Sequence, residues 1–365
     1  MLNVDGRTQV QPTTRSSTCS QNPFPNFAAK IAVPSPASLV SAAFMQVAVI
    51  NPGGRDAEQR FPDGAGLPDD HVHAPVNYHA YAACTEGGFY REAARIPDET
   101  RAVLLLLRRD LKPALKALRE LHARDKAVAI SWKESGLHQI ARQLDDASTL
   151  AQFREISAQA GAAISSTPEL VPLYREAGVR VAEFIPTPYP LEDPRWDFGR
   201  PLAERAGIFI GTREWDVPTR NHAAALLGAA GLGVPVTVCN LDGRSGRKKL
   251  AALGCKDLHI LDGRLPYTEY LRTLSRSRVV FQRDASAVPG QVAGDALLCR
   301  MPCVGGNSAV EQLAFPGEQD LERLLRDDEA WTSAVNASQT RAAEALSYRA
   351  GGQRLARFFE PLLPR

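Results

Sequence analysis

QRDASAVPGQVAGDALLCRMPCVGGNSAVEQ, residues 282–312, is the stretch on which the fold turns. It follows an apolar run at 278–281 with the dimensions of a buried strand, crosses a Pro/Gly loop, and opens a small-residue helix near Gly290. A second buried run follows at 303–305, and another helix is opened by Asn307 and Ser308. Asp295 falls one turn inside the first of these helices. Short apolar strands alternating with helices make parallel βαβ units, in which helix N-termini share an edge with the C-terminal ends of the strands. Ligands collect at that edge in open α/β sheets, and helix N-termini attract phosphate there.

The same alternation extends outward from this stretch. Runs at 47–50, 102–107, 127–131, 162–165 and 181–185 are expected strands. Between the second and third, Leu111, Leu115, Leu118 and Leu121 repeat at helical spacing behind Asp110, a residue suited to an N-cap. Residues 185–201, IPTPYPLEDPRWDFGRP, carry five prolines, which neither continue a helix nor enter a central strand. They are the expected linker. A second series of strands is expected at 208–210, 234–238, 258–261, 279–281 and 303–305, followed by helical pattern alone from 321 to 363. The fold class is therefore α/β, with two Rossmann-like domains facing a cleft and a C-terminal helix crossing back. The expected boundaries are 45–189 with 340–365 for the first domain and 190–339 for the second.

Composition agrees with an ordinary globular protein, at 44% hydrophobic and 23% charged residues in a chain of 365. The net charge of +2 gives no reason to expect a nucleic-acid partner. Cys19, Cys84, Cys239, Cys255, Cys299 and Cys303 have neither zinc-ligand spacing nor a compact disulfide framework, so a reducing cytoplasm is the expected setting. No run approaches the roughly 20 apolar residues of a membrane span, and membrane contact is expected to be peripheral at most. Residues 1–44 are polar, rich in Pro, Ser and Thr, and without periodicity. Disorder is expected there, with Met45 as the natural start.

Several side chains stand at the expected strand ends. Gly211 lets the backbone turn after 208–210, and Arg213 and Arg220 flank the loop that feeds the next helix. Arginine suits a diphosphate because its planar fork donates two hydrogen bonds at once. DGRLP at 262–266 is a turn after another strand. The first loop, from Asn51, is dense in Gly, Asp and His, with Asp69, Asp70, His71, His73 and His79 close together. Metal binding and solvated loop are both open readings of that cluster, but no other ligand pattern supports a metal and none is expected. A general base is the chemistry best suited to His73 or Asp70, and equally to Glu134, which follows the strand at 127–131 beside Trp132 and Lys133.

FIPTPYP at 184–190, IFIGTREWDVPTR at 208–220 and GQVAGDALLCRMPCVGGN at 290–307 together resemble the GT-B glycosyltransferases. Within that class the resemblance is to the retaining group with a Glu-x7-Glu element. It covers the chain from residue 45 and is strongest over 184–316. It implies a nucleotide-sugar donor as substrate, no further cofactor, and a glycan, lipid-linked or small-molecule acceptor held by the first domain. It further implies that Arg213 and Arg220 take the diphosphate, Gly290 opens the adjoining helix, and the backbone from Gly263 to Leu265 meets the base. Asp295, in place of the second glutamate, would accept from the ribose hydroxyls. The chain departs from the pattern at Ala287, where the first glutamate belongs, and Asp284 is out of register. That departure leaves open a sugar-nucleotide epimerase, a pyruvyl transferase or a binding subunit without turnover on the same frame.

Overall fold

The computed structural model describes residues 45–133, 136–211, 215, 217–317 and 319–364. These belong to one compact unit. The disorder expected for residues 1–44 lies outside the described residues.

Two sheets form the frame. The first has the order β2-β3-β1-β4-β5-β6-β7, from β1 (Val47–Ile50), β2 (Gln59–Arg60), β3 (Gly88–Tyr90), β4 (Ala102–Leu107), β5 (Ala127–Trp132), β6 (Ala162–Ser165) and β7 (Val181–Phe184). All its pairings are parallel except β2 on β3. The second has the order β10-β9-β8-β11-β12, from β8 (Ile208–Ile210), β9 (Val236–Asn240), β10 (Leu258–Asp262), β11 (Val279–Phe281) and β12 (Cys303–Val304). It is parallel throughout. Ten expected strands are present within two residues of their predicted limits. The two that were not anticipated, β2 and β3, lie in the Gly/His-rich first loop, where two- and three-residue strands leave no periodicity to read.

The apolar runs are continuous because both faces of the first sheet are covered. Val47, Val49, Leu104 and Leu106 point to one face, and Ala48, Ile50, Leu105 and Leu107 to the other. Leu118 and Leu121 of the helix Lys112–His122 cover the second of these faces. The first is covered by Leu355, Phe358 and Phe359 of the C-terminal helix Tyr348–Phe359. Fully burying each of those three contributes roughly 1.5–3 kcal/mol, enough to hold the returning helix on a sheet some 250 residues earlier in sequence. The proline segment lies against this return: Tyr189 donates its N–H to the Leu346 carbonyl at 2.6 Å and bridges to Ser347.

The strand orders place the site. In the second sheet the chain runs outward from β8 to β9 and β10, then returns to lay β11 and β12 on the other side. The loops after β8 and β11 therefore part at a switch point, where a crevice opens.

Candidate active site

The loop after β11 is built to leave that crevice open. Gly290 has φ +96°, and a Cβ there would lie 2.1 Å from Ser308 Oγ. Gly211, after β8, has the same intolerance, since its Cβ would lie 2.1 Å from Val292 Cγ1. The helix Gln291–Leu298 starts at Gly290, and its first residues, Gln291 and Val292, line the crevice. The crevice is a cavity of about 380 Å³ lined by Gly211, Arg220, Asp284, Gly290, Ser308 and Glu311 on the second-sheet side. Arg220 Nη1 bonds Asp284 Oδ2 at 2.5 Å, and Asp284 Oδ1 also accepts from the Ser286 N–H at 2.8 Å.

A second cavity of about 360 Å³ adjoins it, sharing Asn77, Tyr78, Lys133 and Gln291 in its walls. Gly263, Leu265, Tyr267 and Tyr270 form its second-sheet wall, and Asp56, His73 and His79 the opposite one. Gly263 has φ +79° with open space where a Cβ would stand, so the turn after β10 presents backbone to the cavity. Asn77 spans the cleft by donating Nδ2–H to Gln291 Oε1 at 2.9 Å. It does so with φ 52° and ψ −134°, a conformation unfavourable for any residue but glycine, at the residue that joins the two walls.

The first-sheet wall is an electrostatic group. Lys133, just past β5, pairs with Asp56, which also accepts from Asn51 Nδ2 at 2.9 Å. Burial opposes ionisation of Asp56, but the Lys133 ammonium outweighs it and holds the carboxyl below the usual range. His79 stacks on Phe89 at 3.9 Å, and its ring centre lies 5.2 Å from that of His73. Burial, with His73 second, pushes His79 down to about 3, so it is a neutral imidazole near pH 7.

Several assignments change on this geometry. Of the residues singled out from sequence, His73, Arg220, Gly263 and Gly290 line the two cavities. Asp70 does not. It is exposed on the turn after Leu67, so its carboxylate is not placed to serve as the base. Asp295 does not line either cavity: it is 0% exposed, and Tyr267 Oη donates to its Oδ1 at 2.5 Å. Tyr267, not Asp295, forms the cavity wall, so the direct ribose contact expected of Asp295 is not available in this arrangement. Trp132 is core, 5.3 Å from Phe153. Arg213 and Glu134 lie outside the described residues.

Glu311 was not anticipated. The pattern Asn-Ser-Ala-Val-Glu is a capping box, and Ser308 and Glu311 do cap the helix Ala309–Ala314. The signal was therefore present and read as a helix start, but not as a carboxyl in a cavity. Burial, against the Ser308 hydrogen bonds, pushes Glu311 up to about 7.

No protein-family model matches the sequence, and no curated protein does. Solved structures do match. Anabaena HepE, in complex with UDP and glucose, is similar with a TM-score of 0.56 at 13% identity, over 87% of this chain and 100% of that one. The chain has the GT-B fold. An α,α-trehalose 6-phosphate synthase from Burkholderia multivorans gives a TM-score of 0.54 at 10% identity over 74% of this chain and 73% of that one. An alpha-glucosyltransferase in complex with UDP-glucose and DNA containing an abasic site gives 0.52 at 10%, over 76% and 85%. In this GT-B fold the two cavities occupy the cleft between the C-terminal strand ends of the two sheets. No helix among the described residues is long and apolar enough to cross a membrane.

Proposed function

We propose that the protein is a glycosyltransferase that moves a sugar from a nucleotide-sugar donor to a hydroxyl of a glycan, lipid-linked or small-molecule acceptor. The observation that carries this is the paired cavity. A switch-point crevice with an arginine and a helix N-terminus meets, across shared residues, a wall that holds His73, Asp56 and Lys133. Arg220 and the first turn of the helix Gln291–Leu298 would take the donor diphosphate and stabilise the charge that develops on it as the sugar leaves. Arg213 would join them, on the strength of the sequence resemblance. The backbone at Gly263 and the rings of Tyr267 and Tyr270 suit a nucleobase, with Asp295 acting through Tyr267 by fixing its hydroxyl. His73, half-buried in the opposite wall, would accept the proton of an acceptor hydroxyl, a role its position in the cavity lining supports. UDP in the HepE structure and UDP-glucose in the alpha-glucosyltransferase structure support the choice of donor class.

Calorimetry with UDP, GDP and their sugars tests this reading. Binding of at least one is expected, weakened tenfold or more in Arg220→Gln; no binding across the panel would end the proposal. His73→Ala should retain donor binding and lose transfer, a separation that identifies the base as distinct from the donor site.

A further inference from the structure

Glu311 sits in the wall of the cavity assigned to the diphosphate, and its surroundings bear on how a dianion can enter. It is 5% exposed. One carboxyl oxygen accepts from Gln282 Nε2 at 2.7 Å and the other from the Ser308 N–H at 2.7 Å. A Cβ at Gly306 would come within 2.4 Å of both oxygens, so the backbone there packs directly against the carboxyl. The carboxyl is thus fixed in place and unable to swing into solvent as charge arrives.

The groups around it decide its charge. From the loop after β11 it faces Gln282 and Asp284, from β12 the Cys303 thiol at 3.6 Å, and from its own helix Ser308. Asp284 is a like charge already engaged with Arg220. Lys133, across the cavity, is engaged with Asp56. The neighbouring helix Asp328–Ala345 buries Trp331, Val335, Ser338 and Ala342, none of which ionises near neutrality. Asp295 of the helix Gln291–Leu298 is buried and bonded to Tyr267. No lysine or arginine pairs with Glu311 among the described ion pairs. A diphosphate in this cavity would place two or more negative charges beside an ionised Glu311 in a water-poor wall, where like charges raise each other's affinity for protons.

We propose that the donor diphosphate binds together with a proton, taken from solvent by the Glu311 carboxylate, so that the nucleotide enters a cavity whose wall carries a neutral carboxylic acid. The proposal rests on the reading of this cavity as a diphosphate site. The proton forms an O–H bond on one carboxyl oxygen and removes one negative charge. Burial has already brought the group to the threshold of protonation at neutral pH, so the cost of the added proton is small. Glu311 is a positioning residue in this account, acting on the charge of the wall and not on the reacting atoms.

The test is proton-linked calorimetry with UDP and GDP at pH 7 and pH 8, in buffers of different ionisation enthalpy, on the wild type and Glu311→Gln. The glutamine keeps the shape and an acceptor oxygen but cannot titrate. Proton uptake should be greater in the wild type than in the variant by about half a proton at pH 7 and approaching one at pH 8, as expected for a group half-protonated at pH 7. Taking the difference removes protons bound by groups common to both proteins and by the nucleotide's own terminal phosphate. Wild-type affinity should fall several-fold relative to the variant between pH 7 and pH 8. Equal proton counts in the two proteins overturn this inference alone, whereas failure of both nucleotides to bind removes the diphosphate reading and the inference with it. Carbon-13 NMR of the wild-type glutamate carboxyls gives a second readout that does not depend on the variant folding. One carboxyl should titrate near neutrality and move upward by about two units or more on adding UDP, and its absence would overturn the proposal.

Discussion

At the residue scale, the buried ionisable groups of the cleft give the protein opposing responses to pH. His79 is held neutral by burial, pushed down to about 3, while in the unfolded chain it titrates near the usual 6.5. The unfolded state therefore binds the extra proton first, and stability contributed by the neutral ring is present above pH 6.5 and lost as pH falls toward 3. His222, buried and next to Arg220, is pushed down to about 4 and has the same sign. Glu311 has the other sign: it is protonated more readily in the folded state, so its contribution is full below about pH 4.5 and is lost as pH rises through about 7. His79→Phe, which keeps the stack on Phe89, should remove on the order of 2–4 kcal/mol of the acid-side loss. Glu311→Gln should instead make the protein relatively more stable at pH 8 than at pH 5. Urea denaturation of the three proteins at pH 5, 6.5 and 8 checks both signs, and parallel curves for all three would refute this assignment of the slopes.

At the element scale, the decisive piece is the turn into the helix Gln291–Leu298. Gly290→Ala would force a Cβ against Ser308 Oγ and hold a side chain at φ +96°, two separate penalties. A loss of roughly 2–4 kcal/mol is expected, with donor binding weakened more than stability, because Ser308 also caps the helix that carries Glu311. Thermal denaturation beside nucleotide calorimetry measures the two losses, and an unchanged melting temperature would refute the strain. This same element shows what sequence could and could not reveal. Strand, loop and helix were legible because strands buried on both faces leave unbroken apolar runs, and because Pro and Gly mark the loop between them. Depth was not legible. Asp295 has the position in the helix expected of a ribose ligand, yet whether a carboxylate one turn inside faces a cleft or a core depends on the bulk of Tyr267, which arrives from a helix 28 residues earlier. Asp70 and His73 are three residues apart on one loop, and only the path of that loop puts one in the cavity wall and the other in solvent.

At the scale of the whole molecule, the segment from Phe61 to Asn77 leaves the first sheet and fastens onto the second. Ala65 and Val76 are buried in the core of the second sheet, the Gly66 carbonyl accepts from Trp196 Nε1 at 3.0 Å, and Asp69 accepts from Thr268 Oγ1 at 2.5 Å. With the Asn77 to Gln291 bond, this segment closes one side of the cavity assigned to the base. It carries His73, whose carbonyl accepts from Gln59 Nε2 of β2 at 2.7 Å and whose N–H donates to Gln59 Oε1 at 3.2 Å, so the group proposed as base is held by the first sheet on a segment fastened to the second, and neither sheet alone completes the proposed site. Thr268→Val combined with Gln291→Ala removes two polar fastenings and leaves the Trp196 to Gly66 bond and the apolar contacts. Asp69 stays largely solvated, so its lost partner is replaced by water, and the total cost should be about 1–3 kcal/mol. Amide exchange at residues 62–77 should accelerate while β4 and β5, buried on both faces, stay protected. If the segment kept its protection in the double variant, the two removed bonds would not be what holds it, and the Trp196 to Gly66 bond with the apolar packing would suffice. If β4 and β5 lost theirs as well, the segment would be part of the global fold, not a separately releasable wall of the site.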